Sequence, residues 1–263
     1  MRNLLNDIKE ARNTSVQVKK KSLADARRHF DDLKAVLQNE PYFEQVSWHE
    51  GQTGSIDALL IVTLLMIYYP RFCEEVDGRE PSNAYGHKER CLAAFLEYAK
   101  NEPEELANWI KIVSDLLRLF DELQVTFPQY YGGYFGKIKE VQIFDERRYE
   151  RGSKKYRKSP PTSQFQQRPM KYSYPTGWIY PIFAAFRVLV GAKEPGGIQW
   201  KRDPIEFWHR HGAEICRRYE PHLQGVGYDS RKVATNLICY HAMRQAVTDL
   251  YKDQLLKEAG IDA

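Results

Sequence analysis

A chain of 263 residues, 43% hydrophobic and 28% charged, is long enough for one large or two small domains with a core of their own, which excludes dependence on a disulfide or metal staple. Its four cysteines (Cys73, Cys91, Cys216, Cys239) are widely spaced with no Cys-x-x-Cys, and the start MRNLLNDIKE lacks the apolar core of a signal peptide, so a cytoplasmic setting is expected. The net charge of +4 hides an uneven spread: Glu146 to Lys171 holds nine Lys/Arg against two Glu, leaving the rest of the chain at about minus three, which excludes a generally basic nucleic-acid coat.

Residues 1 to 10 carry one apolar stripe, Leu4, Leu5 and Ile8, and lead into the polar link ARNTSVQVKKK. Ser22 with Asp25 three residues on makes a capping-box-like start, after which Leu23, Ala26, Phe30, Leu33 and Leu37 recur at helical spacing until Pro41. Phe43 to Trp48 reads as a short strand or edge segment, and Gly51 and Gly54 break the chain before SIDALLIVTLLMIYYP. In that stretch Ala58 to Tyr69 are apolar or aromatic except Thr63. A helix apolar all round is buried on every side, and this one falls short of the roughly 20 residues that cross a bilayer. Ser55 as N-cap, Asp57 at the positive pole and Pro70 as terminator predict the central helix of the fold. A buried strand is the competing reading, from Ile61, Val62 and Thr63, but the length favours helix.

A polar loop with Gly78, Pro81 and Gly86 precedes a helix carrying Cys91, Leu92, Phe95, Leu96 and Ala99 on one side. Pro103 opens the next, to Val125, with Glu104 and Glu105 suited to its N-terminus and Leu106, Trp109, Ile110, Val113, Leu116, Leu117 and Phe120 inward. The aromatic loop FPQYYGGYFGK and a helix or strand near Ile138 to Phe144 lead to RGSKKYRKSPPTSQFQQRP, which has three prolines and no hydrophobic period. From Trp178, IYPIFAAFRVLV is a second strongly apolar helix ended by Gly191, and Pro204 to Tyr219 and Ser230 to Ala259 supply the last two. The predicted fold is all-α, an irregular multi-helix bundle around the central apolar helix with at most a small β element. Its expected divisions are a helical subdomain over 1–145, a basic flexible loop over 146–177, and a C-terminal helical subdomain over 178–263 that packs on the first.

Residue types with chemistry are present but poorly arranged along the chain. A P-loop fails twice around Gly133, Gly136 and Lys137, since Tyr131 stands at the first glycine position and Ile138 follows the lysine. His87 with Cys91 and His209 with His211 have no second pair at metal-site spacing, so neither a metal nor a cofactor is expected. Asp32-Leu33-Lys34 has the letters of a metal-dependent nuclease but lies mid-helix facing solvent. Arg202 to His209 and Arg217 to His222 fit the Arg-to-His spacing of a HEPN-like metal-independent ribonuclease. With 20 arginines and seven histidines, about 1.6 such matches arise by chance, and Pro204 and Pro221 are expected to interrupt both spans. Arg151, Lys154, Lys155, Tyr156, Arg157 and Lys158 combine cations with an aromatic ring, a composition that grips phosphates and stacks on unpaired bases; a solvated loop is the alternative.

Several short motifs are shared with one family. They are Ala11-Arg12-Asn13-Thr14 with Gln17-Val18-Lys19 and Ser22-Leu23, the helix through Leu33, Pro41-Tyr42, Ser55-Ile56-Asp57 before an apolar helix ending Tyr69-Pro70, Ala84-Tyr85, and Tyr180-Pro181 with Phe186-Arg187. On these residues the chain resembles the C-terminal part of AIPR-type proteins, the abortive-infection phage-resistance family of bacteria, over most of its length. The resemblance implies antiphage defence, in proteins whose N-terminal half looks like a nuclease domain. Because residue 1 stands close to the ARNT segment, a fragment or split gene working with a nuclease-like partner half is expected. No catalytic residue carries over. Asn13, Thr14 and Gln17 are the carry-over candidates for a polar site, with satisfaction of backbone groups before a helix as their other role. The expected function is a non-catalytic helical module that docks on a partner or on nucleic acid. A HEPN-like ribonuclease and a nonspecific RNA or single-stranded DNA binder are the alternatives.

Overall fold

The computed structural model describes residues 21, 24–25, 28–73, 81–131, 142–143, 165, 172–173, 175–191 and 197–260. Among these the fold is all-α. The helices are α1 (Asp31–Leu37), α2 (Ala58–Tyr68), α3 (Pro70–Cys73), α4 (Lys88–Asn101), α5 (Pro103–Ile110), α6 (Val113–Tyr131), α7 (Ile179–Ala185), α8 (Pro204–Gly225), α9 (Ser230–Thr235) and α10 (Leu237–Glu258). The β content is two short pairs: β1 (Val46–Ser47) runs parallel to β2 (Ile56–Asp57), and β3 (Gln142–Ile143) antiparallel to β4 (Tyr172–Ser173). No helix among the described residues is long and apolar enough to cross a membrane.

Helix α2 is the predicted central helix, with every residue but Leu60 buried, packed against α3, α4 and α6. The Thr63 hydroxyl is satisfied within the helix, donating to the Leu59 carbonyl at 2.6 Å. Its start differs from the expectation. Ile56 and Asp57 are extended because they pair with Val46 and Ser47, so Asp57, not Ser55, is the last residue before the turn and caps the helix by accepting from the Leu59 amide at 3.0 Å. The Ser55 hydroxyl donates instead to Gln45. Pro70 ends α2 as expected, since Tyr69 before it is forced extended, and it also opens α3.

Three expected helices are each divided or shortened by tertiary packing. Arg28 takes a left-handed φ of 63° ahead of α1. The helix from Pro103 breaks after Ile110, and α6 then runs through Pro128 to Tyr131. Ile110, Ile112 and Val113 are all buried across the turn between α5 and α6. The last helix breaks at Asn236, whose side chain accepts from the Ile238 and Cys239 amides and caps α10.

The second apolar stretch forms α7 and a 3-10 turn, Phe186–Leu189. All of α7 is buried, with the Tyr68 hydroxyl donating to the Phe183 carbonyl at 2.7 Å and Phe120 edge-on to both Tyr180 and Phe183. A single cluster of buried side chains runs from Ala24 to Leu250, so the segments on either side of 146–177 share one core.

Candidate functional site

Asn13, Thr14 and Gln17, and the basic residues Arg151, Lys154, Lys155, Tyr156, Arg157 and Lys158, lie outside the described residues. Lys21 is the first described residue after the former group. Within the basic stretch Phe165 is described, buried with its ring edge-on to Tyr42 at 5.3 Å.

Lys21 belongs to a polar cluster at the head of α2. The β1–β2 pairing sets Ser47 opposite Asp57. The Lys21 ammonium is buried between them and donates to the Ser47 hydroxyl at 3.0 Å, the Ser47 carbonyl at 3.2 Å and Asp57 Oδ1 at 3.1 Å. Lys88, at the start of α4, reaches Asp57 Oδ2 at 3.4 Å. Burial alone would push the Asp57 carboxyl up, but the Leu59 amide, Lys21 and Lys88 together outweigh it and hold the group below the ordinary carboxylate range. A hydroxyl beside a lysine has the parts of a nucleophile and its base, yet a base needs a neutral amine. Here the Lys21 amine donates to a carboxylate, a carbonyl and the hydroxyl itself, so the Ser47 oxygen accepts from the lysine rather than giving it a proton.

The second cluster joins α6 to α8. Glu122, Thr126 and Tyr130 recur every four residues and form one stripe of α6. Against it stand Trp208, His209 and Gly212 of α8. His209 Nε2 lies 3.2 Å from the Oε1 of buried Glu122, and the Tyr130 hydroxyl lies 2.7 Å from His209 Nδ1. Trp208 Nε1 donates to the Thr126 hydroxyl at 2.7 Å, which donates to the Glu122 carbonyl. Gly212 makes the approach possible, because a Cβ there would sit 2.7 Å from the Tyr130 ring. Carboxylate, imidazole and phenol thus form a chain whose middle link, the His209 imidazole, is 44% exposed. Burial, and then the negative charge of Glu122, raise the Tyr130 hydroxyl, so this phenol stays protonated and acts as a donor rather than a nucleophile.

The two Arg-to-His spans behave differently. Asp203 caps α8 by accepting from the Ile205 and Glu206 amides, which leaves Arg202 before the helix and paired with Glu258 of α10, whereas His209 faces α6. The two side chains therefore turn to different helices. Pro221, contrary to expectation, does not interrupt α8: it is exposed and lies near the helix end. Arg217 and His222 share that helix, but Arg217 and Arg218 both hold Glu214, whose carboxyl they pull down to about 2.

All four cysteines are buried thiols outside any disulfide, and burial raises the thiols of Cys216 and, to about 11, Cys239. Among the described residues no group of three or more His, Cys, Asp or Glu side chains is placed to hold a metal ion. The apolar hollow between Pro81, Tyr180, Pro181, Ala184, Ala234 and Tyr240 is too tight for water. Matched against family models, curated proteins and solved structures, the chain resembles none of them.

Two signals for these clusters existed in the sequence. Glu122, Thr126 and Tyr130 recur every four residues on α6, the spacing of one helix face, and Asp57 beside the apolar run marks the head of α2. Nothing local pointed to Lys21 or His209 as their partners.

Proposed function

We propose that the chain is a helical, non-catalytic module of an AIPR-like antiphage defence protein, acting in the cytoplasm and docking on a nuclease-like partner half or another component of that defence. One observation carries this reading: the clusters with catalytic residue types are closed on internal hydrogen-bond partners. Lys21 donates to both Ser47 and Asp57, and the Tyr130 phenol, raised by burial, lies against His209. Residues of the family resemblance also serve the architecture. Asp57 ties α2 to Lys21 and Lys88, and Tyr85 packs edge-on to Tyr180 at 4.8 Å.

The test is incubation of the chain with DNA and RNA in magnesium and in manganese, beside a Glu122→Gln/His209→Ala variant. The proposal expects both to be inert. Robust turnover that disappears in the variant overturns it in favour of the ribonuclease. Nucleic-acid contact rests on the composition of Arg151 to Lys158 and should be steeply screened by salt. Titration of single-stranded RNA at two salt concentrations, comparing wild type with Lys154, Lys155, Arg157 and Lys158 changed to Ala, decides it: equal binding makes that stretch a linker.

A further inference from the structure

The corner where α9 meets α10 differs from the rest of the described surface. Three large hydrophobic side chains are exposed among the described residues, and two of them, Leu237 at 44% and Ile238 at 68%, are adjacent at the first turn of α10. Leu237, His241 and Arg244 follow at i, i+4 and i+7 along the exposed stripe of that helix, with Arg231 and Lys232 exposed on α9 just before it. On α8 and just before it the arginines are matched to acids, Arg202 to Glu258, Arg210 to Glu206, and Arg217 and Arg218 to Glu214. At the corner, Arg231, Lys232 and Arg244 have no carboxylate in ion-pair reach among the described residues, and neither helix has an acid in its first turn. Asp229 is turned to the backbone, accepting from the Lys232 amide at 2.8 Å as the cap of α9.

The corner is also held in place. Asn236 caps α10 through the amides of Ile238 and Cys239, while Val233, Ala234, Cys239, Tyr240 and Met243 are buried beneath it. Gly177 meets Ser230 so closely that a Cβ would come 2.3 Å from the Ser230 carbonyl oxygen. Binding at a surface already ordered loses little conformational entropy.

We propose that this corner is the docking surface of the module, and that its occupant is an acidic segment of a partner protein presenting aliphatic side chains at helical spacing; the inference rests on the docking reading above. Charge selects the occupant. Unmatched cations around an apolar centre favour carboxylates that ring aliphatic groups. A second copy of the chain would set these cations against their own kind across a two-fold axis. The exposed apolar groups are aliphatic and give nucleic-acid bases no face to stack on. Two such side chains make too narrow an apolar face for a lipid surface.

The experiment is an amide-resolved NMR titration of the whole chain with a synthetic amphipathic helical peptide of about five turns, leucines on one face and glutamates on the other. Shifts are expected at 231–245, with affinity falling about tenfold in Ile238→Asp, and about tenfold in the Arg231→Glu/Lys232→Glu variant. The same peptide with lysine for glutamate should not bind, and binding should weaken as salt rises from about 0.05 to about 0.3 M. Ile238 is exposed, so Ile238→Asp keeps the fold, which an unchanged melting curve checks. No binding, shifts confined elsewhere, or equal affinity in Ile238→Asp overturns the proposal. So does a stronger response of 231–245 to oligo-dT or to phosphatidylserine vesicles. Nuclease turnover would remove the docking reading whatever the peptide does, whereas an inert chain whose peptide shifts lie elsewhere loses only this corner.

Discussion

Helix α2 meets protein on every side, while α10 meets it on one, and the contrast separates what holds this molecule together from what it can offer outward. Along α2 the Thr63 hydroxyl is turned back on the helix, the Tyr68 hydroxyl is given to the Phe183 carbonyl, and the cap, Asp57, is shared with two lysines. Along α10 the buried stripe of Cys239, Tyr240, Met243, Val247 and Leu250 is backed by an exposed one whose first turn is aliphatic and flanked by cations. A helix enclosed like α2 is legible as an unbroken apolar run and has no free surface. A helix like α10 carries its information in residues that break the helical pattern.

The largest break in that comparison is Leu64→Ala, deep in α2, which should cost about 3 kcal/mol or more in a urea titration. A loss under about 1 kcal/mol would mean that α2 is not the centre of the core. Next is Asp57→Ala, which removes the cap and leaves the buried Lys21 ammonium without its carboxylate. About 2 kcal/mol of destabilisation is expected, after allowance for the partial exposure of Asp57. Asp57→Asn should be milder, because an amide oxygen still caps the helix.

Acid sharpens the same point. The folded Asp57 carboxyl lies below its ordinary value of 3.8, so below that value the unfolded chain binds more protons than the folded one. Its stabilisation is therefore fully present above the ordinary carboxylate range and is lost as pH falls through the depressed folded value. Urea midpoints at pH 7 and pH 3 should draw closer together in Asp57→Asn than in wild type. The smallest effect belongs to α10: Ile238→Ala should change stability by less than about 0.5 kcal/mol, since the side chain is 68% exposed. A larger loss would place Ile238 in the core and end the contrast.

Hydrophobic periodicity made the helices legible, and α2 and α7 most clearly, because apolar runs with glycine or proline at their edges have few alternatives to burial. Their boundaries were less so. Asp57 rather than Ser55 caps α2 because a two-residue strand pairing, made by residues ten positions apart in β1 and β2, keeps Ile56 extended. The break between α5 and α6 falls within a stretch whose apolar spacing runs on from Leu106 to Phe120, so nothing local marks it. Asn236 is a fair N-cap by type, but it sits inside a pattern that reads as one helix from Ser230. The polar clusters were half legible. Glu122, Thr126 and Tyr130 show their spacing on α6, but His209 comes from α8 and Lys21 from before α1, and only the packed fold brings them together.

The central claim, that these clusters fasten helices rather than perform chemistry, is tested most directly by a double-mutant cycle on Glu122 and His209. Urea titrations of Glu122→Gln, His209→Ala and the pair give their coupling. A fastener predicts that each single change destabilises by about 1 kcal/mol and that the double loses less than the sum. A catalytic constellation kept at the expense of stability predicts the opposite, a His209→Ala chain more stable than wild type, and that result would contradict the account.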